Sequence, residues 1–239
     1  MKPVKILIIA TSHEQMGDSG RKTGLWLEEL AVPYYIFMDA GAILTLASPK
    51  GGPIPLDRKS ESIIVSNTSI RRFQKDPAAL LELSRSLPLQ TQKAEDFDLV
   101  FLTGGHGPLW DFPGNESLKL LLENFNRQEK IIGAVCHGVA ALLPLQNSLG
   151  EPLVKGRQVT AFSNSEEQIS GLTDIVPFSL ESELIKLGAS YSKGPDFTSH
   201  IVIDGNIITG QNPSSSKDLA KMLLTSQKDS MKRTESSVY

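Results

Sequence analysis

A single cysteine, Cys136, in 239 residues excludes an internal disulfide framework and any zinc site built on paired thiolates. Neither sign of charge is in large surplus. The formal net charge of -3 gives no electrostatic reason to expect a nucleic-acid partner. Long apolar runs are also missing: none reaches the length that crosses a bilayer, and the first, Val4 to Ala10, is too short for a secretion signal. These absences predict a cytoplasmic protein with neither membrane nor nucleic acid as partner. No internal repeat is visible, and the 40% of aliphatic and aromatic residues is enough for one large core.

What is present reads as α/β. Val4 to Ala10, Ile43 to Ala47, Asp98 to Leu102 and Ile131 to Val135 are short apolar runs rich in β-branched residues, separated by helical stretches. That rhythm predicts a flavodoxin-like sandwich, a parallel sheet with helices on both faces. Trp26 to Ala31 starts a helix that Pro33 either ends or follows with a second. Asp76 and Pro77 cap another, and Asn115 to Arg127 is amphipathic, with Leu118, Leu121, Leu122 and Phe125 on one face. Val159 to Phe162 reads as a strand and Pro177 to Leu187 as a helix. Asp204-Gly205 between two apolar runs signals a hairpin. A final helix is expected over 217–224. The predicted organisation is one domain over 1–225 with an insertion at 51–93 against one sheet edge, then a polar, disordered tail over 226–239.

Three segments stand out because each follows a strand, where the crevice of an open α/β sheet lies. Thr11 to Gly24 is a polar loop long enough to be functional. Thr103-Gly104-Gly105-His106-Gly107 is either a tight turn or a backbone cradle for an oxyanion or carboxylate. At Ile131 to Leu143 the pattern changes from strand to helix at Cys136, between Gly133 and Gly138. Such a corner exposes its side chain, and a helix N-terminus aimed at the sulfur favours thiolate. A lone cysteine among apolar residues also suits a small buried hydrophobe. Glu166 and Glu167 open a further helix after Asn164, where complementarity to the helix dipole accounts for acids equally well. His200, at a strand start, reads as structural.

Ala134-Val135-Cys136-His137-Gly138 resembles the elbow of the ThiJ/PfpI superfamily, the class I glutamine-amidotransferase-like fold. Further segments resemble its branch of heat-inducible chaperones and glutathione-independent glyoxalases. They are Thr23-Gly24 with Glu29 and Pro33-Tyr34-Tyr35, Ala47 to Gly52, Gly104 to Gly107, Val159 to Phe162 with Glu167, and Asp204 to Pro213. The resemblance implies Cys136 as nucleophile, His137 as its partner, and Glu167 or its neighbour Glu166 as the orienting acid. It implies Glu29 as a protonated carboxyl beside the sulfur. It also implies an oxyanion and substrate-binding loop of Gly105, His106 and His137.

The implied activity is conversion of methylglyoxal or a related 2-oxoaldehyde to a 2-hydroxy acid, or removal of early glycation adducts from proteins. No metal or organic cofactor is needed. The implied partners are the aldehyde, unfolded or glycated proteins, and a second copy in a homodimer. A holding chaperone and a thiol redox sensor are alternatives on the same fold. Two positions depart from the family pattern: Val139 stands where proline is usual and Val32 where histidine is common. The His-x-Glu pair of true amidotransferases is missing, since Ile201 and Val202 follow His200.

Overall fold

The computed structural model describes residues 2–61 and 68–236. Strand β1 (Lys5–Ile9) is followed by helix α1 (Leu27–Asp39) and β2 (Ile43–Ser48). Next come short helices α2 (Arg58–Glu61), α3 (Thr68–Phe73) and α4 (Pro77–Ser84), and strand β3 (Leu87–Pro88). Strand β4 (Leu99–Leu102), α5 (Pro108–Asp111), α6 (Glu116–Arg127) and β5 (Ile131–Val135) lead to Cys136. Beyond it lie β6 (Gln158–Val159), α7 (Asn164–Ser170), α8 (Leu180–Lys186), β7 (Ser190–Tyr191), β8 (Ile201–Asp204), β9 (Ile207–Gly210) and α9 (Ser216–Ser236).

Seven strands form one sheet in the order β3, β2, β1, β4, β5, β9, β8. All pair in parallel except the β8 and β9 hairpin. Because side chains alternate across a strand, β1 feeds two cores. Ile6 and Ile8 meet Leu30 and Phe37 of α1 and Leu219 and Leu223 of α9. Leu7 and Ile9 meet Leu118, Leu122 and Phe125 of α6 on the other face. The molecule is thus the expected flavodoxin-like α/β sandwich, and its parallel strands deliver their carboxyl ends to one edge. Thr103 and Cys136 both sit there.

Several local expectations change. Pro33 interrupts nothing: α1 runs through it. A proline there only removes the hydrogen bond to the carbonyl of Glu29, and the buried face of the helix outweighs that loss. Cys136 enters a 3-10 turn, Cys136–Leu142, instead of an α-helix. The small residues Gly138, Ala140 and Ala141 permit the tighter winding, and a Cβ at Gly138 would strike the carbonyl of Thr103. Strand β6 stops after Val159 because the amide of Thr160 goes to Thr209 Oγ1, at 2.9 Å, and not to a neighbouring strand. Helix α8 starts at Leu180, not Pro177, since Ser179 caps it through the Ser182 amide.

The segment over 51–93 contains α2, α3, α4 and the edge strand β3, while 62–67 of it lie outside the described residues. The expected disordered tail is replaced by helix as far as Ser236. The sequence over 226–236 has no glycine or proline, Gln227 is buried, and Asp229 pairs with Lys232 one turn on. The last three residues lie outside the described ones. Among the described residues no helix is long and apolar enough to cross a membrane.

Leu223 of α9 is fully buried and seats over Gly133, where a Cβ would come within 2.6 Å of Leu223 Cδ1. Leu223→Ala therefore opens a void between α9 and β5. It is expected to lower the unfolding free energy by about 2–5 kcal/mol, read as a lower urea midpoint at unchanged slope.

Candidate active site

Cys136 occupies the corner between β5 and its 3-10 turn with φ +56°, a left-handed conformation that non-glycine residues rarely adopt. Its side chain is only 3% exposed. Gly104, two residues past β4, lets Glu29 reach this corner: a Cβ there would lie 2.5 Å from Glu29 Oε2 and 2.8 Å from the Cβ of Cys136. Glu29 itself projects from the first turn of α1 and has no solvent exposure.

From the sulfur a chain of polar contacts leads outward. Cys136 Sγ lies 3.4 Å from His137 Nδ1, and His137 Nε2 lies 2.7 Å from Glu167 Oε2. The other carboxylate oxygen, Oε1, is 2.8 Å from His106 Nε2. One carboxylate therefore accepts from two imidazoles. The two rings are 4.2 Å apart between centroids, and Phe162 covers His137 at 4.5 Å.

Protonation follows from this geometry. Burial, and then the neighbouring His106, lower His137 to about 4, so it is neutral at physiological pH. The carboxylate on its Nε2 fixes the proton there and leaves the Nδ1 lone pair facing the thiol. Burial alone would raise Glu167; interaction with His137 and the hydrogen bonds from both imidazoles outweigh it and hold Glu167 well below the usual carboxylate range. Since His137 is neutral, its share of that effect comes from its N–H donor and not from an ion pair.

Glu29 shows the opposite behaviour. Burial pushes it up to about 8, against smaller lowering effects from Cys136 and the Gly105 and Gly104 amides. Both its oxygens lack a hydrogen-bond partner of ordinary geometry among the described residues. Burial and the adjacent Glu29 push the Cys136 thiol up as well, although the His137 amide works in the other direction. The expectation of a standing thiolate is thereby corrected. A short 3-10 turn supplies little dipole, and the buried site favours S–H.

Of the two neighbouring acids, Glu166 is committed elsewhere. It closes a capping box with Ser163 at the start of α7, and it accepts from the Phe197 amide at 2.8 Å and from Asn212 Nδ2 at 2.8 Å. Glu167 is the one that meets His137. The structure thus brings together Cys136, His137, Glu29 and Glu167, with the Gly105 and His137 amides alongside Glu29 and the sulfur. His106, expected as a substrate-loop residue, directs its Nε2 to Glu167 instead. That contact joins residues 61 apart in sequence, which no local pattern reveals. Trp26, which sequence reasoning did not assign to the site, lines an adjacent cavity with His106. His106, His137 and Glu167 also bring three metal-type donor atoms within 4.8 Å of one another. Their mutual hydrogen bonds already satisfy the two Nε2–H groups.

Residues 23–226 match the DJ-1/PfpI family. Glyoxalase 3 of Candida albicans is 31% identical over 233 residues, covering 91% of this chain and 96% of that protein. Among solved structures, Rapid Encystment Protein 24 KDa of Francisella tularensis superposes with a TM-score of 0.90 at 39% identity, over 94% of this chain and 99% of that one. The crystal structure of glyoxalase III from Candida albicans gives 0.85 at 28% identity, over 93% and 96%.

Glu29 also links the site to stability. Its ordinary value of 4.5 holds in the unfolded chain, whereas the folded value is about 8. Between these, the folded state keeps a proton that the unfolded state has released, so stability falls as pH rises through the window. Glu29→Gln removes this linkage. Relative to the native protein, it is expected to gain on the order of 3–5 kcal/mol between pH 5 and pH 8, measured by urea unfolding at both. Parallel behaviour of the two proteins at both pH values would show that Glu29 titrates normally.

Proposed function

Since the chain belongs to the DJ-1/PfpI family, we propose that it is a cysteine-dependent, glutathione-independent glyoxalase that turns 2-oxoaldehydes into 2-hydroxy acids. The observation that carries this reading is the fully buried carboxyl of Glu29, set against the Cys136 thiol, whose own base is in place. The relatives named as glyoxalases, with which this chain shares nearly its whole length, support the same reaction class.

Chemistry follows from the roles the geometry permits. The Cys136 thiol gives its proton to His137 Nδ1 as the sulfur adds to the aldehyde carbon, and His137 returns that proton to the new oxygen. The amides of His137 and Gly105 are suited to hold the charge on that oxygen while it lasts. Glu29, whose value near 8 is matched to proton transfer in neutral solution, gives its proton to the ketone oxygen while the aldehyde C–H proton is taken up by the site's bases. Return of that proton to the second carbon, as the hydroxyl on the sulfur-bearing carbon gives its own proton back to Glu29, leaves a thioester of the 2-hydroxy acid. Water cleaves it and restores the thiol. The aldehyde carbon is oxidised, its neighbour is reduced, and one water is consumed, so no external oxidant, metal or organic cofactor is required. Glu167 acts through His137, and His106 acts through Glu167; both are positioning residues.

The test is methylglyoxal consumption in the absence of glutathione, with lactate identified as product. Native protein is expected to turn over, and Cys136→Ala to lose on the order of a thousandfold or more in kcat. Glu167→Gln is expected to lose about 10–100-fold, with a change in the pH profile, because His137 loses its fixed tautomer. Turnover is expected to survive treatment with a metal chelator. Equal inactivity of the native and variant proteins would end the glyoxalase reading.

A further inference from the structure

The thiol is nearly closed off, and a cavity of about 430 Å³ reaches the site's outer residue, His106. His106, at the outer end of the contact chain from Cys136, forms part of its lining together with Trp26. Trp26 is tied to the catalytic segments from two sides: its amide reaches the Gly104 carbonyl, and its carbonyl accepts from the Glu29 amide at 3.0 Å. Such a volume belongs to the range of ligand pockets and far exceeds what a three-carbon aldehyde fills.

The charge around this cavity is one-sided. Arg21 and Lys22 stand on one wall and Arg58 and Lys59 on another, with Asp57 as the acid among the lining residues. Asp57 is engaged already, accepting from Thr23 Oγ1 and the Lys59 amide. Lys22 is paired with Glu14 at 3.1 Å. Arg21 and Arg58 have no ion pair among the described residues. In a chain with a net charge of -3, this is a local concentration of positive charge, and a concave site focuses it. Met16, Trp26 and Leu172 give the same cavity apolar walls.

The walls are preformed. Gln15 pairs with Lys22 across a small antiparallel turn, and the Met16 amide reaches the Arg21 carbonyl at 2.9 Å. At the start of this loop, Thr11 Oγ1 and the Ser12 amide are held by Asp111, and His13 stacks on Trp110. At its far side, the Asp57 amide is fixed to the Leu25 carbonyl at 2.9 Å, which positions α2 and Arg58.

We infer that this cavity is the substrate vestibule of the Cys136 site and that it selects 2-oxoaldehydes carrying an acidic group, with Arg21 and Arg58 as the pair that receives the anion. The inference rests on the glyoxalase reading for the fate of the aldehyde, but the anion preference belongs to the cavity itself. The acid group stays at the cationic mouth while the dicarbonyl end passes His106 toward the sulfur. The chemistry is the same internal oxidation and reduction with one water, and the product is a 2-hydroxy diacid.

Two measurements test it. In the first, kcat/KM is compared for a five-carbon 2-oxoaldehyde whose far end is a carboxylate and for its methyl ester. Native protein is expected to prefer the acid at least tenfold. Raised salt and the double substitution Arg21→Gln with Arg58→Gln are each expected to bring the ratio toward one. Equal values in the native protein, or a ratio unmoved by the double substitution, would overturn the proposal. In the second, Cys136→Ser protein, which cannot turn the compounds over, is titrated with the same acid and ester by calorimetry. Tighter binding of the acid, lost on adding the two arginine substitutions, upholds the vestibule even if native protein consumes neither compound, an outcome that would remove only the glyoxalase reading. Equal binding of acid and ester overturns the vestibule whatever the turnover.

Discussion

A single carboxylate shared by two imidazoles fixes where the ring protons lie in the site around Cys136. Glu167 takes the Nε2–H of His137 on one oxygen and that of His106 on the other. Being doubly solvated by donors, it stays ionised in a nearly dry site. Burial keeps His137 neutral and the thiol protonated, and the carboxylate on Nε2 leaves the Nδ1 lone pair toward the sulfur. Glu29 then keeps its own proton, because burial gives its charge no counterpart. Remove the carboxylate and His137 loses the partner that fixes its proton on Nε2. Nothing in the arrangement needs a helix macrodipole.

The site also concentrates features that ordinary folding avoids. A non-glycine residue in the left-handed region, a fully buried unpartnered carboxyl and a buried imidazole cluster all lie within one crevice. Each is unfavourable locally, and the two hydrophobic layers packed on the sheet hold them in place. Close backbone approach is what makes the crowding possible. Gly104 and Gly138 occur where a methyl group would collide with Glu29 and with the Thr103 carbonyl.

Much of this was legible in the sequence. Apolar runs marked the strands because a parallel sheet covered on both faces leaves no polar alternation to confuse. The change of pattern at Cys136 marked the corner, and the motif pointed to Glu29, His137 and Glu167. The choice between Glu166 and Glu167 was also encoded, though less obviously: Ser163 and Glu166 have the spacing of a capping box, which assigns Glu166 to the helix end. What the sequence did not disclose was tertiary. The pairing of His106 with Glu167, the 3-10 winding after Cys136 and the upward shift of the thiol all depend on groups brought in from elsewhere in the chain. The extension of α9 was missed for a different reason. Low apolar content suggests disorder, although helix propensity and a local ion pair support a helix.

The near-complete enclosure of Cys136 affects how the protein ages. Peroxides and alkylating agents attack thiolates that they can reach, and here the resting sulfur is neither ionised nor accessible. In the proposed mechanism reactivity arises only when a bound carbonyl draws the proton onto His137. On that mechanism chemical wear of the only cysteine accumulates with each turnover and not with each hour, so that an idle molecule keeps its thiol intact for the moment when reactive aldehydes appear.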